Sequence, residues 1–361
     1  MPMKVGIVGM PNAGKSSLFS ALTGVAAEAA NYPFTTIEPN VAVVPVEDER
    51  MNQVADTVKA SKIVWDTIAF HDIAGLVAGA HKGEGLGNQF LANIRETDAL
   101  VHVVRAHDDA NVVHSEGRVD PLADIEIIET ELIYADLEQA ERRLDRVVKQ
   151  ARGGDKHAIA EAAWLEQVVA ALQAGQPVRT VPVPDDAPDA QTLLGSLTSK
   201  PVLFVANVAE GETEVPPEIV AHAEAQGARA VAVSARLEKE LAELDEEEAA
   251  LMRADLGLSE SGLQTVVSGA FALLDLVAFF TAGEAKPAQT WHLRRGLSAW
   301  HAAGQIHSDI QKGFVRAEVV SWDKLVEYGG YAGARDHGEL RLEGRDYVIN
   351  DGDVLTVKFT P

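Results

Sequence analysis

The 361-residue chain is 47% hydrophobic, enough apolar side chain for two or three packed domains, which excludes a disordered protein. Its 31 Lys and Arg against 55 Asp and Glu give a net charge of −24, a surface that repels bulk nucleic acid and anionic membrane. Zero cysteines exclude disulfides, thiolate metal sites and cysteine nucleophiles, and the start "MPMKVGIVGM" and short apolar runs point to a cytoplasmic protein without membrane contact.

"KVGIV" (4–8) is a short apolar run and predicts a strand covered on both faces. "MPNAGKSS" predicts a turn into a helix carrying Leu18, Phe19, Ala21 and Leu22. Pro33, Pro39 and Pro45 exclude a helix from "NYPFTTIEPNVAVVPV", a loop feeding an extended segment. "IVWDTIAF" (63–70) predicts one strand running into "HDIAG", followed by a loop on glycines 75, 79, 83, 85 and 87. "ALVHVV" (99–104) predicts the next strand.

After Pro121 the period changes. Ile133, Leu137, Ala140, Leu144 and Val147 place one apolar stripe on a long charged helix. "RGGDK" (152–156) breaks it, and Ala158, Ala162, Leu165, Val169 and Leu172 repeat it, so an antiparallel helical hairpin is expected, most simply a packing arm. "VPVPDDAPDA" reads as a linker, "PVLFVAN" and "ARAVAVSA" as strands, and "EKELAELDEEEAA" as a solvated helix face. Beyond "FFTAG", segments such as "GFVRAEVV" predict a small separate domain. The sum is an α/β fold: a doubly wound, mostly parallel sheet over 1–121 and 200–283, an inserted hairpin and linker over 122–199, and a C-terminal domain over 284–361.

Gly9 to Ser16 fits G-x-x-x-x-G-K-S between a predicted strand and helix. Such a loop curls its N–H groups inward to hold phosphate oxygens, helped by the partial positive charge of the helix start. Asn12, Ala13, Gly14, Lys15, Ser16 and Ser17 are expected to hold phosphates, with Lys15 reaching the β and γ groups and Ser16 ligating Mg²⁺. Asp72-Ile73-Ala74-Gly75 after a strand end is the D-x-x-G that sets a carboxylate near Mg²⁺ and a Gly N–H near the γ-phosphate. Thr35 and Thr36 lie between, and Thr36 is expected to close on Mg²⁺. The glycine-rich stretch from 79 to 87 suits a switch ordered by the γ-phosphate.

"NVAE" (207–210) stands where a guanine-specific protein carries Asn-Lys-x-Asp. Val208 replaces the Lys whose stem covers the base, and Glu210 is one methylene longer than the Asp that accepts from guanine N1–H and N2–H₂. Both changes undermine guanine selection without establishing adenine selection, and Asn207 can serve either base. Ser234-Ala235 suits the last base-contacting loop or an ordinary strand-end turn.

"GIVGMPNAGKSSLFSALT", "NYPFTTIEPN", "DIAGLVAGAHKGEGLGNQFLANIRETDALVHVVR", "NVAE", "FFTAG" and "GQIHSDIQKGFVRAE" together resemble the YchF, or Obg-like ATPase, subfamily of translation-factor-class P-loop proteins, over essentially the whole chain. The resemblance implies preference for ATP over GTP, an inserted helical arm, a β-grasp-like TGS domain at the C-terminus, and association with the ribosome, as the large subunit or the 70S particle. The chain departs from many relatives at Thr35, where they carry Cys, and at Ser298 to Gly304, where they carry Ala-Pro-Gln-Ala-Ala-Gly.

The expectation is therefore a monomeric, Mg²⁺-dependent ATPase switch. Lys15 and Gly75 would act on the γ-phosphate, and Asn207, Val208, Glu210 and Ser234 would surround the base. Leu76 follows D-x-x-G, where a water-orienting Gln stands in Ras-like proteins, so His114, matched by a family His, becomes the candidate base. A GTPase of the same fold is the nearest alternative; a nucleotide-gated ribosome-binding module with negligible turnover is another, and a metabolic kinase a distant third. RNA contact is expected through the TGS domain, where 10 basic and 11 acidic residues leave a near-neutral surface; Lys312 and Arg316 are candidates, while Phe314 and Trp322 are more simply core.

Overall fold

A computed structural model describes residues 3–28, 40–73, 86–108, 119–258 and 261–360. Strands β1 (Met3–Val8), β2 (Val41–Val46), β4 (Asp66–Asp72), β5 (Ala99–Arg105), β6 (Val202–Asn207) and β7 (Arg229–Val233) form one sheet in the order β2-β4-β1-β5-β6-β7. All neighbours run parallel except the β2–β4 pair. Every residue of β5 and β6 is buried, as expected of apolar runs covered on both faces. Helices α1 (Lys15–Glu28) and α10 (Gly262–Leu273) pack on one face through Leu18, Leu22, Val266 and Val267. The other face is covered by α3 (Leu86–Arg95), the first half of α4 (Pro121–Ala151) and α7 (Pro217–Ala225), through Phe90, Ile128 and Ile219.

The helical hairpin is α4 followed by α5 (Lys156–Gln173), and the short α6 (Ala190–Leu194) packs on it. Asp120 caps α4 by accepting from Ala123 N, and Pro121 occupies the first turn, where no N–H is missed. At the turn Gly154 takes φ +81°, and Asp155 caps α5. All ten stripe residues named above join one apolar cluster, so the 3.6-residue period was the right guide. The arm is anchored at its base by Asp136, which is fully buried and accepts from Leu197 N and Thr198 N at 2.8 Å and from Thr198 Oγ1 at 2.6 Å.

The second sheet gathers strands from both ends of the chain. Strands β3 (Lys62–Val64), β8 (Leu276–Thr281), β9 (Pro287–Arg294), β10 (Phe314–Ser321), β11 (Arg341–Glu343) and β12 (Asp353–Phe359) follow the order β11-β10-β12-β8-β9-β3. "IVWDTIAF" is thus not one strand. It divides at Trp65: Lys62–Val64 pairs with β9 of the second sheet, and Asp66–Asp72 pairs with β1 of the first. Asp66 fastens the junction by accepting from His292 N at 3.0 Å and His292 Nδ1 at 2.9 Å. Helix α2 (Glu49–Val58) buries Met51 and Val54 against Phe280, Leu325 and Val354 of the C-terminal part, and its Arg50 pairs with Asp351 at 2.7 Å. Strand β8, upstream of the expected boundary at 283/284, belongs to this sheet.

Two further expectations change. The acidic run breaks into α8 (Ala235–Leu241) and α9 (Glu246–Asp255), and Glu238 is buried, accepting from Gly262 N at 2.7 Å and Ser261 Oγ at 3.1 Å. Gly87 lies inside α3 rather than in the preceding loop. Phe314 and Trp322 pack against apolar clusters, while Lys312 is exposed beside Asp309. Among the described residues no helix is long and apolar enough to cross a membrane.

Candidate nucleotide-binding site

Five strand ends and two helix starts converge at one edge of the first sheet. After β1, Gly9 (φ +153°) passes so close to β5 that a Cβ on it would lie 2.3 Å from Val103 O. Asn12 takes φ 62°, a left-handed conformation that Asn tolerates. Gly14 (φ +106°) lies where a Cβ would come within 2.3 Å of Asn207 Nδ2. Helix α1 then begins at Lys15 with no acidic residue in its first turn, leaving its N-terminal field open to an anion.

Lys15 is 8% exposed, and its Nζ donates to Met10 O at 2.7 Å. Burial pulls its pKa down to about 8, against the opposing pull of Asp72. The Asp72 carboxyl is pushed up by burial, with the Lys15 ammonium drawing it back. The register of β4 on β1 sets Asp72 opposite Ile7, and its N–H donates to Asn40 O at 3.0 Å. The Lys15 ammonium and the Asp72 carboxyl are thus near enough for each to act on the other's charge.

A cleft of about 310 Å³ opens beside Lys15, and Asp72 is not among the residues that line it. Asn12, Gly14, Lys15, Ser16 and Ser17 line one side, and Arg105, His107, Asn207, Ala235 and Arg236 the other. The Asn207 side chain is a clamp: Nδ2 donates to Ala13 O and Oδ1 accepts from Ala235 N, both at 3.0 Å. It ties the phosphate loop to the start of α8. Its own carbonyl accepts from Ala106 N at 2.9 Å and His107 Nδ1 at 2.8 Å, so the His107 ring carries its proton on Nδ1.

The remaining base-site candidates fall outside the lining. Val208 is 2% exposed, sits in the cluster of Phe204 and Ile219, and spends its N–H on Val233 O, so that N–H is not available to a base. Glu210 is exposed and pairs with Arg236 Nε at 3.4 Å. Ser234 caps α8, its Oγ accepting from Leu237 N at 3.5 Å, which is the strand-end reading rather than a base contact. Ala13 is buried behind the loop and contributes its carbonyl to the clamp. Thr35, Thr36, Gly75 and His114 lie outside the described residues. Arg105, His107 and Arg236 were not singled out from sequence. Arg105 ends β5, His107 follows it and Arg236 lies in the first turn of α8, and only the sheet order brings them together.

Comparison with known proteins matches this geometry. Residues 4–137 match a family profile described as "50S ribosome-binding GTPase", and residues 276–360 match YchF-GTPase_C, described as "Protein of unknown function (DUF933)". A Haemophilus influenzae protein named "Ribosome-binding ATPase YchF" is 47% identical, with 99% of each chain covered. A Bacillus subtilis protein of the same name is 45% identical over 99% of this chain and 100% of its own. The chain belongs to the YchF family. A solved structure titled "Structure of the Schizosaccharomyces pombe YchF GTPase" superposes with a TM-score of 0.87 at 36% identity, covering 99% of this chain and 97% of that one. A GTP-binding protein structure from Pyrococcus horikoshii, at 21% identity and a TM-score of 0.62, shares the fold. The YchF-GTPase_C match begins at the first residue of β8, so β8 belongs with the C-terminal unit in sequence as well as in the sheet.

Proposed function

We propose that this YchF-family protein is a Mg²⁺-dependent, ATP-hydrolysing switch of the cytoplasm that acts as a monomer on the ribosome. The curated relatives are named ribosome-binding ATPases, whereas the S. pombe structure is titled a GTPase, so base choice needs its own argument. One observation carries it: Val208 is packed into the core, and Glu210 is not among the cleft-lining residues, its exposed carboxylate pairing with Arg236, which is. Neither half of the guanine-reading pair lines the cleft. Adenine, whose edge lacks the N1–H that a carboxylate would accept, loses nothing by this arrangement.

Lys15 and the open start of α1 would hold the phosphates, Asn207 would keep the loop in register with α8, and Gly75 would donate to the γ-phosphate. Ser16, exposed at the cleft, and Asp72, beside Lys15, are hard oxygen donors of the kind Mg²⁺ takes, with Thr36 as a third. The cation would supply charge neutralisation for the phosphate oxygens. His114 would accept the proton of the attacking water, since Leu76 has no group to do so.

Competition of unlabelled ATP and GTP against a fluorescent ATP analogue tests the base reading. ATP should displace the analogue at the lower concentration, and displacement by GTP at a lower concentration than ATP overturns it. His114→Ala should lower single-turnover hydrolysis by ~10²-fold or more with nucleotide affinity little changed. Wild-type turnover in that variant removes His114 from the chemistry.

A further inference from the structure

The charge of the chain is not spread evenly along the arm. From 142 to 156, around the hairpin turn, Arg142, Arg143, Arg146, Lys149, Arg152 and Lys156 face only Asp145 and Asp155. This stretch is strongly basic on a protein of net charge −24, and more basic than the C-terminal domain, with its 10 basic and 11 acidic residues. Arg143 is occupied by the buried Glu161, and Asp155 by the cap of α5. Arg142 pairs with Glu138 on the exposed surface, a contact of little strength. Arg146, Lys149, Arg152 and Lys156 are exposed, and among the described residues none has a carboxylate within ion-pair distance.

We propose that this tip grips the phosphate backbone of RNA. The proposal names the contacting surface for the ribosome reading above, and rests on it for the biological source of the RNA. Basic residues at a helix C-terminus also complement the helix dipole, but that effect fades beyond the last turn and does not account for Arg142 and Arg146, in the turns before it. Arg142, Arg146 and Lys149 follow each other at intervals of four and three, so they line one face of α4, opposite the Ala140, Leu144 and Val147 stripe. The tip lies about 30–45 Å from the start of α4, beyond the part of that helix packed on the sheet domain. Over 142–156 its exposed side chains are Arg, Lys, Asp and Gln, and the one large exposed apolar neighbour is Ile159 in the first turn of α5, less than the clustered anchors at the core of a protein interface. A row of cations of this kind suits a phosphate chain, read by charge and shape rather than by base sequence.

The test uses the full-length protein with Arg146→Gln, Lys149→Gln and Arg152→Gln combined. Affinity for purified 70S ribosomes and for a short protein-free RNA duplex is measured as salt is raised, with ATP binding as the folding control. Loss of three phosphate contacts should lower the log–log salt slope by about 2.1–2.7, which corresponds to a roughly 20–40-fold smaller loss of affinity between 50 and 200 mM salt. A charge-keeping variant, Arg146→Lys with Arg152→Lys, should behave as wild type. Equal slopes for wild type and the Gln variant on both targets overturn the proposal. So does a slope difference confined to ribosomes, which assigns the tip to an acidic ribosomal protein. Wild-type protein that grips the duplex through the tip yet ignores ribosomes upholds the proposal and removes the ribosome reading instead.

Discussion

Replacing Asn207 by Ala separates a residue that builds the cleft from one that reads the base. The Asn207 side chain is 7% exposed, and both its polar atoms are engaged, one with Ala13 O and one with Ala235 N. Truncation removes two hydrogen bonds of ~1 kcal/mol each and leaves two buried backbone groups without partners, a loss of about 2–4 kcal/mol. The space left beneath Gly14 also releases the loop that Asn207 holds, because the two are close enough that a Cβ on Gly14 would lie 2.3 Å from Nδ2. Urea denaturation without nucleotide should therefore show the loss directly. Titration with ATP and GTP should show both affinities falling by the same factor, since a displaced phosphate loop harms any nucleotide. If apo stability is unchanged while the ATP-to-GTP ratio shifts tenfold or more, Asn207 reads the base and the clamp argument is wrong.

Three other outcomes follow from the same packing. Val208→Lys, which would restore the guanine-type residue, places an ammonium among Phe204, Ile219 and Ala223, and should cost roughly 2–4 kcal/mol of stability in urea denaturation without improving GTP binding; a stable variant with raised GTP affinity would contradict this. Lys15, its pKa held at about 8 by burial, is mainly cationic at pH 7 and mainly neutral at pH 9, so ATP affinity should fall about tenfold between those values; a flat profile by calorimetry would contradict it. His102 is fully buried beside Phe204 at 5.4 Å, and burial lowers its pKa from 6.5 to about 4. The unfolded chain then holds more protons between those values, so stability is lost as pH falls through that window, by up to ~3 kcal/mol, and His102→Phe should flatten that part of the curve.

Features that depend on short stretches were legible in the sequence. The phosphate loop announces itself because its glycines, Lys15 and Ser16 must be adjacent, and the arm because ten apolar residues keep the helical period through two helices. What failed were features set by partners far along the chain. Nothing within "IVWDTIAF" tells Lys62–Val64 to leave the first sheet; the pairing with β9, more than 200 residues later, decides it. Glu238 looked solvated because its acceptors' partners, Ser261 and Gly262, lie on the next long helix. His107, after β5, and Arg236, in the first turn of α8, reach one cleft from distant parts of the chain, and local sequence holds no sign of their meeting.

The central claim is hydrolysis with adenine preference. Single-turnover cleavage of ATP and of GTP, each at saturating protein and Mg²⁺, puts it to the test in one assay. The account predicts that ATP is cleaved, with the half-saturating protein concentration lower for ATP than for GTP. Cleavage of GTP at lower protein concentration and higher rate than ATP, or no cleavage of either, would contradict it.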